Sequence, residues 1–359
     1  MQSKKPAEMI LIALLFTLLA DHGLEAAIKG KVTTIAGQPG LSGNADGIGS
    51  SARFNVPCAL STDGANLYIA DANNHTIRKL ELLNGRVTTI AGLAGSPGSA
   101  DGIGESARFK MPWGIAFYKG NLYIADSGNK TIRKLVLSTR EVSTIAGSPG
   151  NYGTLDGIGR EARFGALLGL ATDGLDLYAA DTPFNTIRKI DLVSYAVTTI
   201  AGIAGSSGTI DGQGSQALFN KPCGLAIYGR SLYIADSGNY TIRKMDITTS
   251  KVTTLAGQAG ASGDVDGKGL AARFGSSPAN MITTDGKYLY VSDGHNRTIR
   301  KIALATAEVS TVAGASGMKG STDGVGKNAL FGVGPSGITI ANGMLFVADG
   351  QNHTIRRIE

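Results

Sequence analysis

An aspartate and an arginine seven residues apart recur six times in this 359-residue chain: Asp71 and Arg78, Asp126 and Arg133, Asp181 and Arg188, Asp236 and Arg243, Asp293 and Arg300, Asp349 and Arg356. A carboxylate beside a guanidinium can serve acid–base or anion-binding chemistry. A reacting group is needed once, however, whereas a fastener is needed in every repeated unit. Six copies therefore predict structural pairs, hydrogen-bonded and partly buried, that tie one repeat to the next, with the Asp also capping the turn behind it. Other reactive residue types are sparse. His75, His295 and His353 fall in turns of three different repeats, too far apart to share a shell of ~2.1 Å metal bonds. The motif Asp-Gly-x-Gly, at Asp46, Asp101, Asp156, Asp211, Asp266 and Asp323, has the look of a phosphate or Ca²⁺ loop. A phosphate loop needs a following helix N-terminus, and Ca²⁺ needs roughly six to eight oxygens. Only Asp264 and Asp266 form a carboxylate doublet. Cys58 and Cys223 hold equivalent positions three repeats apart, beyond the ~7 Å Cα separation of a disulfide, and are expected as two unbridged, buried thiols. No metal, no cofactor and no catalytic residue is predicted, and no Ser-His-Asp or Cys-His set can be assembled.

The elements that position these residues are short strands. Leu67-Tyr-Ile-Ala-Asp-Ala-Asn-Asn-His-Thr-Ile-Arg-Lys79 returns with its Thr at 76, 131, 186, 241, 298 and 354, in steps of 55, 55, 55, 57 and 56 residues. Such a period marks one unit repeated and stacked. Within it, Leu-Tyr-Ile-Ala and Thr-Ile-Arg-Lys read as two strands around a polar turn. Val-Thr-Thr-Ile supplies another strand, and Gly-Ile-Ala, before an Asp-Gly or Asn-Gly type turn, supplies the first. In chain order these are strands a (Gly-Ile-Ala), b (Leu-Tyr-Ile-Ala), c (Thr-Ile-Arg-Lys) and d (Val-Thr-Thr-Ile), a four-stranded antiparallel meander. The sequence starts on a lone strand d, Val32–Ile35, and stops on a strand c, Thr354–Ile358. Pairing the two completes the sixth unit. The expected fold is an all-β, six-bladed β-propeller of four-stranded antiparallel blades, closed by its own N-terminal strand. The Phe of each Ala-Arg-Phe or Ala-Leu-Phe (Phe54, Phe109, Phe164, Phe219, Phe274, Phe331) is expected to plug the seam between blades.

Residues 1–26 differ in kind. Lys4 and Lys5 precede the apolar run Met9–Ala20, too short for an ordinary span but suited to a secretory leader. The domain reading is a signal peptide over 1–26 and a propeller over 27–359, secreted or periplasmic. Losing 1–26 removes two positive and three negative charges, so the net charge of +6 becomes +7. Because the basic residues are spread over the repeats, no nucleic-acid binding is expected. No membrane association is expected once the leader is cleaved, and the protein is read as a monomer.

The run Leu-Tyr-Ile-Ala-Asp-Ser-Gly-Asn-x-Thr-Ile-Arg-Lys, with Pro-x-Gly-Ile-Ala before it and Val-Thr-Thr-Ile-Ala-Gly after it, resembles the NHL repeat over residues 31–359. Asn74-His-Thr76 and Asn352-His-Thr354 match the family signature best, while Pro183-Phe-Asn-Thr186 departs from it. The Asp-Gly-x-Gly loops resemble those of secreted bacterial members. The resemblance implies the propeller but not an activity, since the family includes protein- and RNA-binding modules and a few lyases.

Because the strands alternate in direction, the d–a and b–c connections emerge on one face. The variable b–c turn residues His75, Lys130, Phe184, Tyr240, Arg297 and His353, with Trp113 at the channel mouth, are expected to engage an unknown protein or glycan there. Trp113 belongs to a column that reads Cys58, Trp113, Leu168, Cys223, Ala279 and Ser336. The alternative is a propeller enzyme, a lyase or lactonase with its site at that mouth. Against it, the channel-lining a strands carry no His, Glu or Asp.

Overall fold

The computed structural model describes residues 28–275 and 280–359; the leader assigned to 1–26 and Ala279 of the central column lie outside the described residues. Six antiparallel sheets follow one another around an axis. In the second blade, strand a is Pro112–Tyr118, b is Asn121–Asp126, c is Thr131–Val136 and d is Glu141–Gly147. Strand b is apolar almost without a break and buried along nearly its whole length. A strand covered on both faces by neighbouring blades requires that pattern.

Each blade has five strands, not the four expected. The additional strand is the Gly-x of Asp-Gly-x-Gly, Gly102–Ile103 in the second blade, which pairs with Val142 and Glu141 at the outer edge. Two residues without a run of β-branched side chains give no periodic signal. The pairing arises because the d–a loop travels outward along strand d before turning back to the axis. Gly104, at φ +55, makes that turn in the left-handed region where glycine carries no Cβ penalty.

The strand Lys31–Gly37 is the d strand of the last blade. It pairs antiparallel with Thr354–Ile358, Val32 opposite Ile358 and Gly37 opposite Thr354. The Glu359 carbonyl accepts from the N–H groups of Lys29 and Lys31. The core lies between blades. Around the seam of blades six and one, Phe54 packs with Leu60, Leu67 and Ile69 of one blade and Phe346, Ala348 and Ile355 of the other. Burying such a ring contributes about 1.5–3 kcal/mol, and a Phe stands at the same place in every seam, fully buried in each.

The a–b turns alternate around the ring. Blades one, three and five use four-residue loops headed by Asp63, Asp173 and Asp285, whose carboxylates accept from Tyr68, Tyr178 and Tyr290. Blades two, four and six use two-residue turns that follow Tyr118, Tyr228 and Ala341. Among the described residues no helix is long and apolar enough to cross a membrane.

Candidate functional site on the loop face

The Asp–Arg pairs lie on the face where the long loops emerge, and both partners are buried in every blade. Arg133 Nη1 donates to Asp126 Oδ2 at 2.8 Å and to the Arg108 carbonyl. Its Nη2 donates to Asp101 Oδ1 at 2.8 Å and to the Ala100 carbonyl. Asp101 also accepts from Thr144 of strand d. The guanidinium stands 5.1 Å from the centre of the Phe109 ring, and the other five blades repeat the arrangement at 5.0 to 5.2 Å. Every one of these residues belongs to a single blade and its own overlying loop. The expected blade-to-blade tie is therefore corrected: the Arg clamps the d–a loop onto its blade and thereby holds the Phe wedge in the seam. Asp126 takes the Asn129 side chain and the Lys110 N–H rather than capping the turn backbone. Burial pushes Asp126 up to about 6, against the pull of the Lys110 N–H, Arg133 and Asn129.

The Asp of Asp-Gly-x-Gly is thus a second carboxylate for the Arg, about half exposed in most blades. Among the described residues no group of three or more His, Cys, Asp or Glu side chains is placed to hold a metal.

Three of the blade junctions are tied by a residue at the b–c turn position. His75, Lys130, Asn185, Tyr240, Arg297 and His353 all adopt left-handed φ between 58° and 63°. His75 Nδ1 accepts from the Met111 N–H of the next blade at 3.1 Å, and His353 Nδ1 from the Val56 N–H at 3.2 Å. Asn185 Oδ1 accepts from the Lys221 N–H at 2.8 Å. Met111, Val56 and Lys221 themselves have positive φ, uncommon for non-glycine residues and a genuine outlier for a β-branched one. Burial lowers the pKa of both histidines, in keeping with a neutral ring accepting at Nδ1. His75 and His353, expected as partner contacts, are both half-buried and latch neighbouring blades.

Phe184 is also misplaced by one residue, because Asn185 holds the turn position. Phe184 stands where the other blades carry an Asn bonded to the buried Asp, and it packs on Tyr152 with ring centres 4.7 Å apart. Lys130 donates to the Ser127 carbonyl at 2.9 Å, and its pKa is lowered by burial and by the nearby charge of Lys110.

Trp113 enters strand a at the rim of the axis. It is half-buried, and its Nε1–H is buried with no hydrogen-bond partner among the described residues. Cys58 and Cys223 of the same column are buried thiols that donate to the Val56 and Lys221 carbonyls, and burial pushes Cys223 up to about 12. Below this rim a cavity of about 180 Å³ runs between the a strands, lined by aliphatic, Ser and Thr residues and by Phe117. The residues preceding strand a, Lys110 and Lys221, escaped the sequence reading. Their signal was a Lys within two residues of the Pro that opens strand a.

The arrangement as a whole defines a six-bladed β-propeller with small wedges, buried clamps and a polar loop face. No protein-family model matches the chain. It is 31% identical over 293 residues to the chloroplastic Protein SUPPRESSOR OF QUENCHING 1 of Arabidopsis thaliana, covering 77% of this chain and 28% of that protein. It is 29% identical over 330 residues to NHL repeat-containing protein 2 of Bos taurus, covering 82% of this chain and 45% of that one. The chain therefore spans less than half the length of these curated relatives. Among solved structures, an auxiliary nutrient binding protein of Bacteroides thetaiotaomicron superposes with a TM-score of 0.68 at 18% identity, over 91% of this chain and 76% of that one. A streptogramin B lyase superposes at 0.52 with 11% identity, over 91% and 97%. These two likenesses concern the fold alone. The chain belongs to the NHL-repeat β-propeller family.

Proposed function

We propose that this protein is an extracytoplasmic binding module that engages an acidic protein or glycan on the inner part of its loop face, around Trp113, Lys130, Tyr240 and Arg297. One observation carries the reading. Among the six b–c turn residues and the two residues before strand a in each blade, the charged side chains are Lys110, Lys130, Lys221 and Arg297, all cationic. Lys110 lies close enough to disfavour the charge on Lys130, and like charges gathered on a rim attract an anion. Beside them, half-buried Trp113 offers an aromatic face of the kind that binding surfaces favour. The basic, apolar leader supports an extracytoplasmic address, and a fold neighbour described as a nutrient binding protein is in keeping with binding rather than turnover.

The test is titration of the purified chain with a galacturonate oligomer and with a poly-glutamate peptide, each at low and at high salt. Saturable binding of one of them, weakened by salt and at least tenfold by the double variant K130E/R297E, is expected; which probe binds decides between glycan and protein. Absence of binding by both, or equal binding by the variant, refutes the reading.

A further inference from the structure

The alternation of a–b turns leaves one seam different from its two equivalents. Where blade two meets blade three, on the face opposite the long loops, the Tyr118 ring lies over Gly174, so that a Cβ added there would fall on the ring itself. Where blade four meets blade five, Tyr228 covers Gly286 in the same way. Where blade six meets blade one, the residue in register with Tyr118 and Tyr228 is Ala341, and a Cβ on Gly64 would meet nothing within 4 Å. A second side chain is cut back as well. Tyr195, packed into the blade two/three seam, has Ala307 as its counterpart in the c–d turn of blade five and Gly85, with no side chain at all, in that of blade one. The result is a groove of about 360 Å³ whose lining includes Gly64, Leu80, Gly85, Met344, Phe346 and Arg357.

The groove also holds an unsatisfied donor. Position 357 is Lys in the other five blades (Lys79, Lys134, Lys189, Lys244 and Lys301) and Arg only here. Arg357 gives Nη2 to Glu359 at 2.7 Å, but its Nε–H is buried without a hydrogen-bond partner among the described residues. A buried donor left unpaired is costly, and an acceptor brought by a ligand relieves it. Asn342 braces the groove by donating to the Gly64 carbonyl at 2.9 Å.

We propose that the blade six/one groove is a binding site for a small phenol, whose ring takes the place Tyr118 and Tyr228 fill at the other two seams and whose oxygen accepts from Arg357 Nε. The occupant is defined by the chain's own repeats: two equivalent seams are covered by a 4-hydroxyphenyl ring, and the third has the Gly floor, apolar walls that include Leu80, Met344 and Phe346, and no tyrosine ring over the glycine. The site is independent of the loop face, on the other side of the propeller.

The probe is p-cresol, the side chain of tyrosine as a free molecule. With methionine methyls ¹³C-labelled in the full chain, p-cresol is expected to shift the Met344 methyl saturably, with a Kd of about a millimolar, a reasonable affinity for so small a ligand. A341Y, which restores the ring from within, is expected to abolish the shift and to leave the melting temperature unchanged or raised. R357K, which keeps the charge and removes Nε, is expected to weaken binding about tenfold, roughly the upper range for one hydrogen bond, and decides the matter should A341Y fail to fold. Toluene, which lacks the oxygen, is expected to bind more weakly than p-cresol to wild type and equally to wild type and R357K. No saturable Met344 shift in wild type, or p-cresol binding that survives both A341Y and R357K unchanged, overturns the proposal.

Discussion

Asp126 and Asp101 hold the same guanidinium from opposite sides, yet they differ in exposure: the Asp126 side chain is fully buried and that of Asp101 is 36% exposed. Removing Asp126 takes the buried one of its two carboxylates from Arg133 and unpairs the Lys110 N–H and one N–H of the Asn129 amide. D126A should therefore destabilise the fold by about 3–5 kcal/mol. Water can replace much of what Asp101 supplies, so D101A should cost about 1 kcal/mol or less. Urea unfolding of both variants checks the ranking, and equal losses would contradict the burial argument. The pairing itself was legible in the sequence from the fixed seven-residue spacing. That it clamps a loop rather than a neighbouring blade was not, since the second carboxylate lies 32 residues upstream of Arg133 and no local pattern links the two.

At the scale of elements, three blade junctions are latched by a turn residue reaching the residue just before the next blade's first strand, and in two of the three it is a histidine accepting at Nδ1. Burial lowers both histidine pKa values below the ordinary 6.5. The unfolded chain thus binds protons more readily, and this contribution to stability is complete above about pH 6.5 and lost as pH falls from there through the folded values. Asn185 accepts in the same position without titrating. The double variant H75N/H353N should accordingly keep the latches while showing a smaller drop in melting temperature between pH 7.5 and 5.5 than wild type. An identical drop in both proteins would count against the latches. The latching role of His75 and His353 was not legible in the sequence, because the N–H groups they accept from lie in another blade, beyond any local pattern. Phe184 misled for a simpler reason, as Pro183 shifted attention one residue from the position that counting back from Thr186 assigns to Asn185. The strand Gly102–Ile103 was invisible because only its docking on strand d makes two residues a strand.

At the scale of the molecule, the repeat spacing and the offset of the ends carried most of the architecture: six blades, their strand order and the seam-filling phenylalanines follow from periodicity and from which residues recur in every copy. What periodicity could not carry is departure from it. The inner cationic ring and the blade six/one groove both arise where one copy differs from its equivalents, and such differences acquire meaning only when the copies stand side by side in three dimensions. Both sites also presuppose a closed ring, because blade six meets blade one only if Lys31–Gly37 completes the last sheet.

Amide hydrogen exchange tests that closure directly. The segment 31–37 has no local strand partner and gains its ladder bonds from the last blade, at the other end of the chain, so its protection reports ring closure alone. Exchange of 31–37 as slow as that of the internal d strands Glu141–Gly147 and Ala196–Ala201 is the predicted result. Exchange of 31–37 at the rate of an unstructured peptide, with the internal d strands still protected, would contradict it.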